Sequence, residues 1–320
     1  MAVLVGIDEA GYGPTLGPLV ITAVAFEVKD YAVDGNLWEI LKGAVTVSRR
    51  DRGDRLAVAD SKNLYTSTKS GRKLRLLEEG VLAFQGCVEH TENLKGLLDA
   101  LHCYNESQLD LYPWYHNMQL NLPLSTPLEE VSRYRELLRE VSSVQGVKFL
   151  GARAAVISPY EFNKGVASCG NKALLLFDNC AKLISNLWGE YPQLSILCDK
   201  HGGRNRYKVL LSRAFSGCKV NVLLEGPEVC SYELKDGKGR LKVSFMPRAE
   251  DKHLPVALAS MYSKYLRELF LKLFNRYWHE KLPGLKSTAG YPEDARRFLC
   301  DISKTKASLG ISDEILVRNR

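Results

Sequence analysis

Short apolar runs that stop abruptly on charge set the pattern of this chain. Residues 2–7 and 18–28 predict two strands, joined by a tight segment with three glycines and two prolines. The first strand halts at two adjacent carboxylates, Asp8 and Glu9. Further along, "VKFLGARAAVI" predicts another strand, and "QLSILCD" a short one ending on Asp199. "LKVSFMPRAED" alternates Leu241, Val243 and Phe245 before ending in Glu250 and Asp251. Helical spacing marks "GRKLRLLEEGVLAF" from Gly71, and 171–188, where Leu174, Phe177, Leu183, Ile184 and Leu187 lie on or near one face. It marks most strongly "PVALASMYSKYLRELFLKLFNRYW", with Pro255 in its first turn. Ala257, Ala259, Ser260 and Ser263 would let that helix approach a sheet closely. Residues 88–145, holding the aromatic cluster Tyr112, Trp114 and Tyr115, read as an insertion. Residues 255–320 read as a C-terminal helical part of one domain spanning 1–320.

The pattern is mixed α/β, without strict βαβ alternation. Three predicted strands finish on carboxylates: Asp8/Glu9, Asp199 and Asp251. If those strands are neighbours, the charges converge at one end of the sheet, where α/β proteins place their sites. The 320 residues carry 44 Lys+Arg against 37 Asp+Glu, a net charge of +7 that suits a polyanionic partner without requiring one. Eight cysteines (Cys87, Cys103, Cys169, Cys180, Cys198, Cys218, Cys230, Cys300) are scattered, with no CxxC pair and no His spacing suited to zinc, and read as reduced core thiols. The first residues lack a basic leader, and no apolar run approaches the ~20 residues of a membrane span. The expectation is a cytoplasmic enzyme or binding protein with no membrane association.

Carboxylates gathered in a partly buried site repel one another, and divalent cations remove that cost. Hard oxygen donors suit Mg²⁺ or Mn²⁺, and two such ions form a clamp for in-line displacement at phosphodiesters. The glycines nearby leave backbone bare for a sugar–phosphate chain.

"GIDEAGYGPTLGPLV" is similar to the opening of type 2 ribonuclease H (ribonuclease HII), whose pattern is a strand, DEAGRGP, then GPLV. "VADSKNL" resembles that family's D-S-K-x-L segment, "EDKHLPVALASMYSKYLREL" its last acidic residue and small-residue helix, and "TAGYPEDARRFL" its glycine–tyrosine segment. The resemblance covers roughly 1–75 and 150–300. It implies a ribonuclease H-like mixed sheet flanked by helices, with a C-terminal helical part. It also implies hydrolysis of the RNA strand of RNA/DNA hybrids, or of ribonucleotide-containing duplexes, with two Mg²⁺ or Mn²⁺ ions and 3′-hydroxyl and 5′-phosphate ends.

Carried over by position, Asp8, Glu9, Asp199 and Asp251 become catalytic metal ligands. Glu250 competes for the last place, and the spacing to "ALASMYSK" favours Asp251. Gly11 and Gly13 fall on backbone positions that sense a 2′-hydroxyl, Tyr291 on a tyrosine that stacks against a sugar, and Lys62 on the nucleic-acid-binding surface. Tyr12 replaces the family's arginine, which weakens the reading of a single embedded ribonucleotide. Lys200, His201, Arg204, Arg206 and Lys208 form a basic loop that would replace part of that arginine's phosphate contact, and His201 could carry a proton near the leaving group. Lys264 is a further substrate-side candidate, though it and Arg267 also suit a solvated helix face. Two other readings stand beside the hybrid nuclease. One keeps the two-metal site for structured DNA or RNA alone. The other is a non-cleaving nucleic-acid-binding protein, which would have no use for a repulsive acidic cluster facing a polyanion.

Overall fold

A computed structural model of the chain describes residues 2–29, 35–65, 74–103, 106–237 and 239–319. The first hairpin is β1 (Ala2–Ala10) and β2 (Leu19–Val28). Two short helices, α1 (Leu37–Ile40) and α2 (Ser61–Leu64), flank a small parallel pair, β3 (Val45–Thr46) and β4 (Leu56–Ala57). Helices α3 (Arg75–Val88), α4 (Leu94–Ala100) and α5 (Leu128–Gln145) lead to β5 (Lys148–Ile157). Of the helix read from Gly71, residues 71–73 lie outside the described residues. The chain continues through α6 (Pro159–Cys169), α7 (Lys172–Glu190), β6 (Gln193–Asp199) and α8 (Lys208–Ala214). An antiparallel run follows, β7 (Lys219–Glu225), β8 (Cys230–Lys235) and β9 (Arg240–Met246). Helices α9 (Leu254–Lys281), α10 (Pro292–Ser308) and α11 (Asp313–Leu316) end the chain.

Seven of these strands form one mixed sheet in the order β5-β2-β1-β6-β9-β8-β7. The strands predicted to end on charge are therefore neighbours. β1 runs parallel to β6, and β6 parallel to β9. In register, Ile7 faces Cys198 and Cys198 faces Phe245. The two-residue period of a strand then divides the side chains between two layers. Val3, Val5 and Ile7 join Leu194, Ile196 and Cys198 in the apolar layer under α7. Leu4 faces the opposite layer with α9. Asp8 and Asp199, one step past the Ile7–Cys198 pair, share the α9 side; Glu9 turns to the α7 side.

α9 is apolar on nearly every side and largely buried, which suits a helix lying between the sheet and further helices. Its N-terminus touches β1 backbone to backbone: a Cβ on Gly6 would lie 2.1 Å from the carbonyl carbon of Pro255. Described residues of the 88–145 stretch pack into the same core. Trp114 meets Phe274 edge-on at 5.2 Å, and Tyr115 meets Phe270 at 5.1 Å. The fully buried Glu78 of α3 accepts from the backbone of Leu124, Ser125 and Thr126 and from the Tyr265 hydroxyl of α9. One carboxylate thus ties α3, α9 and the loop before α5 together. No helix among the described residues is long and apolar enough to cross a membrane.

Candidate active site

The end of β1 carries the chemistry. Strand alternation answers why two like charges stand side by side: Asp8 and Glu9 leave the strand on opposite faces. Asp8 is buried on the α9 side beside Ser260, whose hydroxyl donates to Ser61 Oγ at 3.0 Å. The Ser263 hydroxyl donates to the Asp8 carbonyl at 2.9 Å and lies 2.9 Å from Thr22 Oγ1. The small residues of α9 thus serve the site as well as close packing. Burial, and then the charge of Glu9, push the Asp8 carboxyl well above the usual carboxylate range. Burial likewise pushes Glu9 up to about 7, against the opposing pull of His201.

Asp199 closes β6 and accepts from the backbone N–H of Ala249 at 3.4 Å. That contact fixes the turn after β9, a single 3₁₀ turn from Ala249 to Asp251. The turn decides which acid faces inward. Glu250 is buried, its Oε2 has no hydrogen-bond partner, and burial followed by Asp199 and Asp60 raises its pKa. Asp251 instead points outward and pairs with Arg248 at 2.6 Å. The spacing to the following helix favours Asp251, but the structure turns its neighbour inward: the 3₁₀ turn after β9 buries Glu250 and leaves Asp251 at the surface beside Arg248. The acids at the sheet end are Asp8, Glu9, Asp199 and Glu250.

Lys62 sits in their field. Burial alone would lower its ammonium, but Asp60, Glu250, Asp8 and Glu9 together raise it. Asp60, not singled out in sequence, caps α2 by accepting from the Lys62 backbone at 3.1 Å.

The glycine turn after β1 is held from behind. Gly11 has φ +93°, and a Cβ there would lie 2.6 Å from the Pro18 carbonyl oxygen. Gly13 faces open space. Arg267 does not lie on a solvated helix face; it is buried and donates to the carbonyls of Pro18 (2.6 Å), Leu16 (3.1 Å) and Ala289 (3.3 Å). Arg318, also buried, donates to the carbonyls of Gly11 (2.6 Å) and Pro14. The Gly290 carbonyl accepts from Thr15 and Leu16, so the Gly290–Tyr291 segment lies against the turn. Tyr291 beside it is 53% exposed. Tyr12 packs its ring under the Lys172 ammonium at 4.6 Å.

The basic loop differs from expectation. Lys200 is bound to Asn205 Oδ1 and to the carbonyls of Gly226 and Pro227, all within 2.8 Å, so its charge is spent inside the protein. His201 is buried among Phe177, Tyr207 and Phe245 and cannot meet a phosphate at the surface. Arg206 and Lys208 are exposed and Arg204 half-buried. Lys264 is paired with Glu268 at 2.7 Å and lies over the Tyr65 ring.

Neither a family model nor a curated protein sequence matches the chain. Solved structures do. The ribonuclease HII of Archaeoglobus fulgidus, solved with PCNA, is 17% identical over 99% of this chain and 94% of its own, with a TM-score of 0.46. The ribonuclease H2 of Pyrococcus horikoshii is 16% identical over 98% and 92%, with a TM-score of 0.48. A Bst ribonuclease HIII in complex with Mn²⁺ is 15% identical over 99% and 66%, with a TM-score of 0.41. The chain is similar to these ribonucleases H along nearly its whole length.

Proposed function

We propose that this chain is a divalent-cation-dependent endonuclease of the ribonuclease H type, hydrolysing the RNA strand of RNA/DNA hybrids. One observation carries the reading: three neighbouring parallel strands deliver Asp8, Asp199 and Glu250 to one side of a sheet end whose neighbouring turn is stripped to glycine. The donor set fits hard cations. It is all carboxylate oxygen, Glu250 Oε2 is buried without a partner, and burial holds Asp8, Glu9 and Glu250 away from their charged forms. Asp8, Glu9, Asp199 and Glu250 would hold Mg²⁺ or Mn²⁺, which would supply an activated water and neutralise charge developing on the phosphate.

The remaining residues bind and orient. Gly11 and Gly13 offer bare backbone to the sugar edge, with Arg318 holding the Gly11 and Pro14 carbonyls and Arg267 those of Leu16 and Pro18 behind the turn. Tyr291 presents an exposed ring for stacking on the far side of the turn, and Lys62 brings a cation to the phosphate side. The products would carry 3′-hydroxyl and 5′-phosphate ends. Tyr12 favours continuous hybrid over single embedded ribonucleotides, because its phenol offers one hydroxyl where an arginine offers a charged fork.

The test is a cleavage panel. Labelled hybrid, single-ribonucleotide duplex, duplex DNA and single-stranded RNA are incubated with Mg²⁺, Mn²⁺ or EDTA. Hybrid cleavage that needs the metal and disappears in Asp8→Asn supports the proposal. Cleavage confined to DNA or single-stranded RNA moves the same site to another substrate. Binding without cutting in either metal overturns the nuclease reading.

A further inference from the structure

On the α7 side of the same sheet end lies a second donor set, made of sulfur and imidazole. Cys180 comes from the middle of α7, Cys198 from β6 and His201 from the loop beyond it. Their exposures are 2%, 1% and 3%. Among the described residues, these three bring their ligand atoms within 4.8 Å of one another. Cys180 Sγ lies 3.7 Å from His201 Nε2. A tetrahedral zinc with Zn–S of about 2.3 Å and Zn–N of about 2.0 Å sets its sulfur and nitrogen about 3.5 Å apart, close to that spacing.

The alternative is a buried thiol–imidazole hydrogen bond, and it compensates the burial poorly. A contact to sulfur is weak, and at 3.7 Å it is all that the buried Nε2 of His201 receives from Cys180, while Nδ1 has no hydrogen-bond partner in either reading. The imidazole is nevertheless held firmly. Its backbone N–H donates to the Tyr207 hydroxyl at 2.9 Å, and Tyr207 stacks on Phe245 with ring centres 3.8 Å apart. Nε2 of His201 thus faces the Cys180 thiol, with Cys198 beside it, among the rings of Phe177, Tyr207 and Phe245.

We infer that Cys180, Cys198 and His201 form a binding site for one thiophilic cation, Zn²⁺, separate in donor chemistry from the carboxylate site. On binding, both thiols lose their protons to solvent and the sulfurs coordinate as thiolates. Glu9, counted above among the carboxylate ligands, leaves β1 on this face close enough for its charge to act on both Cys180 and His201, so the two sites are electrostatic neighbours.

The experiment uses the whole chain, purified under reductant and stripped of metal, with excess Mg²⁺ present to satisfy the carboxylates. Titration with Co²⁺ should give one equivalent of thiolate-to-cobalt charge-transfer absorbance and the intense visible bands of a tetrahedral ion, both abolished by one equivalent of Zn²⁺. Cys180→Ser and Cys198→Ser should each lose the charge-transfer band or weaken binding at least about tenfold, while the exposed Cys300→Ser keeps it. Should a serine variant fail to fold, zinc X-ray absorption on the unaltered chain decides, with two sulfurs and at least one imidazole nitrogen expected. Absence of the absorbance in the folded, reduced protein overturns the site. So does a band that survives in both Cys180→Ser and Cys198→Ser, or a zinc shell without sulfur.

Discussion

The two faces of one sheet end carry different donors. The face toward α9 is oxygen: Asp8, Asp199 and Glu250, with the hydroxyls of Ser260 and Ser263 behind them. The face toward α7 is sulfur and imidazole, from Cys180, Cys198 and His201, with Glu9 at its border. A single strand step separates them, because consecutive residues of β1 exit on opposite sides. Adjacent carboxylates of one strand can therefore face two environments at once.

The largest effect should come from the oxygen face. Asp8→Asn should reduce hybrid cleavage on the order of a thousandfold while leaving the fold intact, since it removes a charge that burial already disfavours. Rates under single turnover, with a melting curve alongside, check both halves.

Packing beneath that face comes next. Gly6→Ala places a Cβ against the Pro255 backbone, which has no side chain to yield, and should cost roughly 3 kcal/mol or more by urea unfolding. A neutral result would mean that β1 and α9 are not in backbone contact.

Charge on both faces should make the metal-free protein pH-sensitive. Glu9 titrates at about 7 when folded against an ordinary value of 4.5, so the folded chain holds the extra proton between those values. The stability this confers is complete below the lower value and is lost as pH rises through about 7, on the order of 3 kcal/mol, with Asp8 and Glu250 acting in the same direction. Mg²⁺ should therefore raise the melting temperature more at about pH 8 than at about pH 5. Equal shifts at both would count against buried, repelling acids.

The smallest effect concerns the hydroxyls. Ser263→Ala removes the bond to the Asp8 carbonyl and the contact with Thr22, and should cost about 1 kcal/mol in the same unfolding assay.

How much of this was legible in the sequence depended on whether the signal was local. Asp8, Glu9 and Asp199 could be placed because each ends an apolar run, and a strand's end is visible in its own residues. Spacing alone ranks Asp251 ahead of Glu250, whereas the choice rests on a 3₁₀ turn fixed by a contact to Asp199, about fifty residues away. Arg267 read as a solvated charge, since nothing nearby in sequence reveals the carbonyls of Leu16, Pro18 and Ala289 that it meets. Lys200 and His201 looked like an open basic loop for the same reason. The thiols gave no zinc spacing because helix, strand and loop each supply one donor. Strands β7 and β8 passed unread: β7 lies at the sheet edge with Leu223 and Leu224 exposed, so its pattern lacks a clean buried face.

The central claim is that Glu250, and not its neighbour, completes the acidic face. Single-turnover cleavage of labelled hybrid in Mn²⁺ by Glu250→Gln and Asp251→Asn tests it directly. The account predicts a loss of at least about a hundredfold for the first and a change within about twofold for the second, whose carboxylate is engaged only in a surface ion pair. The reverse order, or equal losses, would contradict it.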